Sequence, residues 1–350
     1  MSAGNKETEA LGALAQRRFR LPGGIEGVAV KALVTGGAGF IGSNLVDALL
    51  DRGDEVVVLD NLSTGRRTNL EPAAERGARL VVEDIRDSDQ VIALAAAERP
   101  EVVFHLAAQM DVRVSAARPA YDAEVNVLGT VNVLEGAREA GAERLVYVST
   151  GGAIYGEADD LPAGEKSPIK PEAPYGQAKF AGEGYCDLYR RLHGLSTVSL
   201  RLGNVYGPRQ DPLGEAGVIA IFCGKLLDGG QPTVFGDGRQ TRDYIYVEEV
   251  VRAMLTAAES DAHGAFNVGR GVETSVLELV DTLGALGSEL GLREVPFEPQ
   301  LAPPRPGEVQ RNALDPTLSR ERLGFVAEIE VADGLRRTLE YNRSVVGARE

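Results

Sequence analysis

The sequence predicts an α/β protein: a doubly wound parallel sheet with a smaller C-terminal lobe. Three observations predict it. Between residues 31 and 200, short runs that are apolar throughout alternate with longer segments of helical spacing. That is the pattern of strands buried on both faces and joined by helices. A glycine-rich turn, Gly36-x-x-Gly39-x-x-Gly42, links the first such run to the first helical segment. Beyond about residue 200 the alternation breaks up, with Gly and Pro clustered at 203–217, 229–238 and 296–307. Right-handed crossovers between the strands then give a Rossmann-type domain.

The elements follow in order. Lys31–Thr35 is a strand, and Ile41, Leu45, Val46, Leu49 and Leu50 place a helix after it. Strands are expected at Glu55–Asp60, Arg79–Val82, Glu101–Leu106 and Arg144–Ser149, with helices near Asp87–Glu98, Ala120–Ala140 and Tyr175–Leu192. The second half predicts helices at Val218–Leu227, Val247–Ala258 and Val276–Leu286. Thr197–Leu202 and Ala265–Val268 are strand-like and are expected to return to the sheet. Three regions follow: a mobile N-terminal extension at 1–30, a dinucleotide-binding domain at 31–200 with later segments returning to it, and mainly a substrate lobe at 201–350.

Composition narrows the function. The chain has 350 residues, 43% hydrophobic and 25% charged, which excludes a disordered or fibrous class. With 37 Lys and Arg against 52 Asp and Glu the net charge is −15, and no Lys/Arg run exceeds two, so nucleic acid is not an expected partner. Cys186 and Cys223 form no CxxC, and His105, His193 and His263 are far apart, so neither a metal site nor a disulfide framework is expected. No stretch approaches the ~18 apolar residues of a membrane span, and residues 1–30 lack a signal peptide's apolar core. A cytoplasmic protein without a membrane partner is expected.

The glycine turn points to a cofactor. Gly36 makes the tight turn, Gly39 lets backbone approach a pyrophosphate, and Gly42 lets the helix pack on the sheet. The helix N-terminus then attracts the phosphates. Asp60 ends the next strand, 18 residues beyond Gly42, where a carboxylate binds both hydroxyls of an adenosine ribose and disfavours a 2′-phosphate. NAD is therefore expected, with Arg66 and Arg67 keeping NADP open. Asp84 and Ile85 would lie beside the adenine. Leu106, Ala107, Ala108 and Gln109 follow the fourth strand, and their small side chains suit close passage of a cofactor. His105 is read as bonding locally.

Tyr175 and Lys179 are i and i+4 on a predicted helix and share a face. A tyrosine becomes a general base only when its pKa falls from ~10, and a neighbouring ammonium stabilises the phenolate. With a strand ending in Ser149-Thr150 upstream, this pair is the catalytic candidate.

Together the motifs TGGAGFIGSN at 35–44, DNLSTG at 60–65, HLAAQ at 105–109, Ile154-Tyr155-Gly156, Tyr175–Lys179, RLGNVYGPR at 201–209 and TRDYIYV at 241–247 resemble extended short-chain dehydrogenase/reductases. Within them, the chain is similar to the UDP-glucose 4-epimerase-like, NAD-dependent nucleotide-sugar epimerases, over roughly residues 31–343. The resemblance implies a homodimer in which Tyr175 removes the proton of a sugar 4-hydroxyl and a transient 4-keto sugar turns before reduction from its other face. Phe40, Ile41, Asn61, Asn126 and Leu202 join the expected NAD site. On the substrate side it implies Arg242 and Arg305 on a pyrophosphate, Glu308 on a ribose, Asn204 on a phosphate, and Val218 with Thr233 and Phe235 around the uracil. A size gate for an N-acetyl group falls near Asn312.

One departure concerns the catalytic hydroxyl. Counting four back from Tyr155 reaches Gly151, which has none, so Thr150 is the expected donor with Ser149 as the alternative. Gly151 and Gly152 are expected to give the sugar room to turn. Gly151-Gly152-Ala153 lacks the acid pair of a nucleotide-sugar 4,6-dehydratase. A UDP-N-acetylglucosamine epimerase stays open, as does a UDP-glucuronate epimerase, for which Arg113 is a candidate cation. A non-catalytic NAD-binding protein is the reading from a different class. Helices 120–140 and 175–192 are expected on one side of the sheet, where Val127, Val131, Val133 and Leu134 fit a dimer bundle or the core.

Overall fold

The computed structural model describes residues 29–212, 217–292, 295–305, 307 and 309–347. The predicted extension lies outside the described residues, apart from its last two positions. The chain runs β1 (Lys31–Thr35), α1 (Phe40–Asp51), β2 (Glu55–Leu59), β3 (Arg79–Val81), α2 (Ser88–Glu98), β4 (Val102–His105), α3 (Gly129–Ala140), β5 (Arg144–Thr150), α4 (Pro174–His193) and β6 (Ser196–Leu202). It continues through β7 (Asn204–Tyr206), α5 (Val218–Leu227), β8 (Thr233–Phe235), β9 (Thr241–Arg242), β10 (Tyr244–Tyr246), α6 (Val247–Glu259), β11 (Gly264–Val268), β12 (Thr274–Ser275), α7 (Val276–Glu289), β13 (Gln300–Ala302) and α8 (Val331–Gly347).

The central sheet has seven strands in the order β11-β6-β5-β4-β1-β2-β3. Every pairing in it is parallel. This is the doubly wound α/β order with one further strand at the β6 edge. Strand periodicity sorts the two faces. Ala32 and Val34 of β1 point into a core with Leu45, Leu49, Val250 and Met254, from α1 and α6. Leu33 points the other way, into a core with Val91, Val133, Leu134 and Cys186. The lobe has its own core, in which Phe222 and Leu226 of α5 meet Leu279 and Leu283 of α7 and Leu335 of α8.

The helix expected near 120–140 is broken. A short helix Pro119–Ala123 passes into a π-helical turn, Glu124–Leu128, before α3 begins. The wider turn points Asn126 inward, where its amide bonds the backbone of Gln109 in both directions at 2.9 and 2.8 Å. Val133 and Leu134 belong to the core, while Val127 and Val131 line an outer surface with Leu128 and Tyr185. α4 ends at Gly194, whose φ of 73° allows the left-handed C-terminal cap.

Candidate active site

The turn between β1 and α1 is crowded backbone. A Cβ at Gly36, where φ is +73°, would sit 2.7 Å from Ala107 N. One at Gly42 would overlap Gly36 O and lie 2.7 Å from Gly37 Cα. Gly39 is the N-cap of α1, and no side chain caps that helix. The first-turn N–H groups at Phe40 and Ile41 are therefore free of side-chain competition for an anion. Asp60 stands over the turn. Its carboxylate accepts from Ala38 N–H at 2.9 Å and Leu62 N–H at 2.8 Å, which leaves an acceptor position on each oxygen. Burial raises its pKa, and the two backbone donors oppose that rise. Arg66 is ion-paired with Asp211.

Asn61 donates to Asp84 at 2.9 Å, and Arg86 forks onto the same carboxylate at 3.0 and 2.9 Å. The hydrogen-bonded guanidinium lowers Asp84 to about 2. Ile85 is buried under α3, where a Cβ at Gly129 would reach within 2.6 Å of it. Leu106 N–H donates to Thr35 O at 3.1 Å and Ala107 N–H to Thr35 Oγ1 at 3.2 Å, so the loop carrying Ala108 is laced to the end of β1.

His105 is fully engaged. Thr130 donates to Asn126 O at 2.7 Å, so its oxygen accepts from His105 Nε2–H at 3.0 Å, and His105 Nδ1 accepts from Thr35 at 2.7 Å. Only the neutral ring satisfies this chain, and burial lowers His105 to about 3. Gln109 donates to Asp122 Oδ1 at 2.9 Å, and Asn126 donates to the same oxygen at 3.1 Å. Leu202, at the end of β6, is buried.

α4 carries Tyr175 in its first turn and Lys179 one turn on, half-buried and buried respectively. Burial pushes Tyr175 up, and the charge of Asp122 adds to this, so a phenolate there needs cationic help. Burial brings Lys179 down to about 8, against the opposing influence of acidic groups that include Glu183 and Asp122. Such a lysine still holds its proton at neutral pH. The two candidate hydroxyls differ in their partners. Ser149 is buried and donates to Glu183 Oε1 at 2.6 Å, in a network where Arg201 forks onto Glu183 at 2.7 and 3.0 Å. Thr150 is half-buried at the mouth of β5 and makes no side-chain cap to the short helix Gly151–Ile154.

The two glycines differ in what a side chain there would meet. A Cβ at Gly151 would lie 2.5 Å from Leu314 Cδ1, so Leu314 already fills that space. At Gly152 the nearest atoms are Asn204 Oδ1 at 3.4 Å and Thr150 Oγ1 at 3.8 Å, which is ordinary contact. Asn312 donates to Gly151 O at 3.4 Å. The side-chain oxygens of Asn204 and Asn312 are both buried with no hydrogen-bond partner. The sequence leaves the role of Asn312 open and carries no signal for Leu314.

On the lobe side, Arg305 lies 4.0 Å above the Phe235 ring. Val218 opens α5, Thr233 opens β8, and Arg242 on β9 donates to Thr241 O at 2.8 Å. Glu308 lies outside the described residues. Arg113 is 81% exposed, with Nε 3.7 Å from Asp111. Among the described residues no cluster of His, Cys, Asp or Glu could hold a metal ion.

A glycine cradle that a Cβ would fill, an uncapped helix start and a carboxylate with acceptor positions left fit a dinucleotide. Comparison with known proteins agrees. Residues 32–269 match the model of the NAD dependent epimerase/dehydratase family. The chain is 46% identical over 318 residues to a UDP-glucose 4-epimerase of Mycolicibacterium smegmatis, covering 90% of this chain and 99% of that one. A solved UDP-glucose 4-epimerase of Thermotoga maritima with UDP-glucose is 43% identical with a TM-score of 0.85, covering 90% and 99%. Its Thermus thermophilus counterpart in complex with NAD is 43% identical with a TM-score of 0.81, covering 89% and 99%.

Proposed function

Because this chain belongs to the NAD-dependent epimerase/dehydratase family, we propose that it is an isomerase that inverts C4 of a UDP-sugar, UDP-glucose and UDP-galactose first. The observation that carries this reading is the Tyr175–Lys179 pair on α4, set beside β5 whose end continues as Gly151-Gly152-Ala153. A dehydratase needs an acid pair there, and this stretch has none.

Residues 31–202 with α6 and β11 form the cofactor half, and the remaining lobe grips the nucleotide. NAD is held by Gly36, Gly39 and Gly42, by the first turn of α1 at Phe40 and Ile41, and by Asp60. Asn61, Asp84, Ile85, Leu106, Ala107, Ala108, Gln109, Asn126 and Leu202 shape the rest of its groove. Bound NAD supplies the acceptor and donor of hydride at C4. Tyr175, as phenolate, takes the proton of the 4-hydroxyl and later returns one to the 4-oxygen. Lys179 keeps the phenolate accessible by its charge. Thr150 donates to the 4-oxygen, since Ser149 is committed to Glu183. Arg242 and Arg305 neutralise the pyrophosphate, and Glu308 accepts from the ribose. Val218, Thr233 and Phe235 line the base. The unpartnered amide oxygens of Asn204 and Asn312 accept hydrogen bonds from substrate hydroxyls.

The surface formed by Val127, Leu128, Val131 and Tyr185 is the proposed homodimer contact. No described helix is long and apolar enough to cross a membrane. Two buried free cysteines are in keeping with a cytoplasmic setting.

The test is product analysis by NMR on UDP-glucose, UDP-N-acetylglucosamine and UDP-glucuronate in parallel, without added reductant. Inversion at C4 of UDP-glucose is expected. Inversion of another sugar alone replaces the substrate, a 4-keto-6-deoxy product makes the protein a dehydratase, and no turnover with NAD bound makes it a binding protein.

A further inference from the structure

Lys179 poses an electrostatic problem. Its ammonium is buried, yet among the described residues no carboxylate lies within 4 Å of Nζ. A burial of this kind is costly without a partner. The partner is an aromatic ring. Lys179 Nζ lies 4.5 Å from the centroid of Tyr147, a fully buried residue of β5. The fit is built in from both sides. A Cβ at Gly182 would overlap the Tyr147 hydroxyl and lie 2.6 Å from its Cζ, so α4 is notched to admit the ring. The hydroxyl donates to Lys179 O at 3.4 Å, and the His105 ring lies 5.6 Å beyond.

We propose that Tyr147 is a positioning residue for Lys179: its ring face holds the ammonium charged and oriented without the neutralising charge that a carboxylate would bring. A directly paired carboxylate would cancel the field of Lys179 at Tyr175, whereas a ring quadrupole stabilises a cation with no net charge of its own. The other groups around Lys179 are otherwise engaged. Asp122, from the helix before the π-turn, accepts from Gln109 and Asn126. Glu183, one turn along α4, is taken by Arg201 and Ser149. His105 on β4 is neutral, and burial raises both the Cys186 thiol on α4 and the Tyr147 phenol, so neither carries charge at neutral pH. Tyr175 itself completes the set.

The inference deepens the proposed function, because its catalytic consequence rests on the Tyr175–Lys179 reading; the seat itself is a property of the chain. The test is a pH titration of lysine ε-13C resonances in the protein as purified, with the Lys179 signal assigned by its loss in Lys179→Met. Tyr147→Phe is expected to keep the wild-type midpoint, and Tyr147→Leu to lower it by about one unit or more. Fluorinated phenylalanines at position 147 keep the shape while weakening the ring, and they are expected to lower the midpoint stepwise; they carry the test if the leucine variant does not fold. The alkaline limb of kcat moves down by the same amount. An unmoved midpoint across the leucine and fluorinated variants overturns the proposal, as does a phenylalanine variant that falls as far as leucine. A wild type that titrates as expected but turns over no UDP-sugar refutes the function while upholding the seat. Normal turnover with a flat titration does the reverse.

Discussion

Two glycine turns stand at the carboxyl end of the sheet, one after β1 and one after β5, and glycine is there for different reasons. In the first, Gly36 and Gly42 face backbone: Ala107 N, Gly36 O and Gly37 Cα. Backbone in a packed turn has nowhere to go. In the second, Gly151 faces the end of one side chain, Leu314, and Gly152 faces the side chains of Asn204 and Thr150 at ordinary contact distance. A glycine set against backbone is a fixed requirement, whereas one set against a side chain is half of a pair that can be changed together.

The largest effect is therefore expected at Gly42→Ala. Overpacking against backbone should cost about 3 kcal/mol or more and empty the cofactor site, read by calorimetry and by the nucleotide released on denaturation. No single compensating substitution should restore it, and one that did would remove the contrast between the turns.

Next comes the hydroxyl at the second turn. Thr150→Ala should lower kcat by about 100-fold, the usual cost of one donor to a developing oxyanion. Ser149→Ala should leave kcat within about threefold and instead cost stability of about 1–3 kcal/mol, because Glu183 loses a buried donor. The reverse ranking in steady-state kinetics would exchange their roles.

Gly151→Ala should cost about 1–2 kcal/mol, and Leu314→Ala in the same chain should recover much of it, with a coupling of about 1 kcal/mol in a double-mutant cycle. Additive losses would show that the backbone, and not Leu314, sets this turn.

The smallest effect at neutral pH is a pH slope at the first turn. His105 is held near 3 in the fold, below its ordinary 6.5. The unfolded chain thus binds the extra proton first. The stabilisation is full above about pH 6.5 and is lost as pH falls toward the folded value, at up to about 1.4 kcal/mol per pH unit. Chemical denaturation at pH 7, 6 and 5 should show this decline, and His105→Gln should flatten it. An unchanged slope would mean that His105 is not what ties this turn to β4.

What was legible in the sequence is what is local. The β1–turn–α1 unit, Asp60 at the end of β2 and the Tyr175–Lys179 spacing each lie within a few tens of residues, and each has its own period or offset. The break at Glu124–Leu128 was not legible, because Asn126 meets its partner only across a loop. The contact of Leu314 with Gly151 joins residues far apart in the chain, and the seat of Lys179 on Tyr147 joins two different elements. Neither leaves a periodic trace. The partner that distinguishes Ser149 from Thr150 likewise comes from another element: Glu183, itself held by Arg201, accepts from the serine.

The edge strand β11 has a consequence for how the chain is made. Six of the seven strands are complete by Leu202, but their outer member, β6, finds its neighbour only when Gly264–Val268 arrives. The 61 residues from 203 to 263 lie between, and they include β7 to β10, α5 and α6. At typical rates of synthesis this is a delay of roughly three to twelve seconds. Throughout it a ribosome presents an apolar strand with one edge unpaired, open to chaperones or to the same strand of a neighbouring nascent chain.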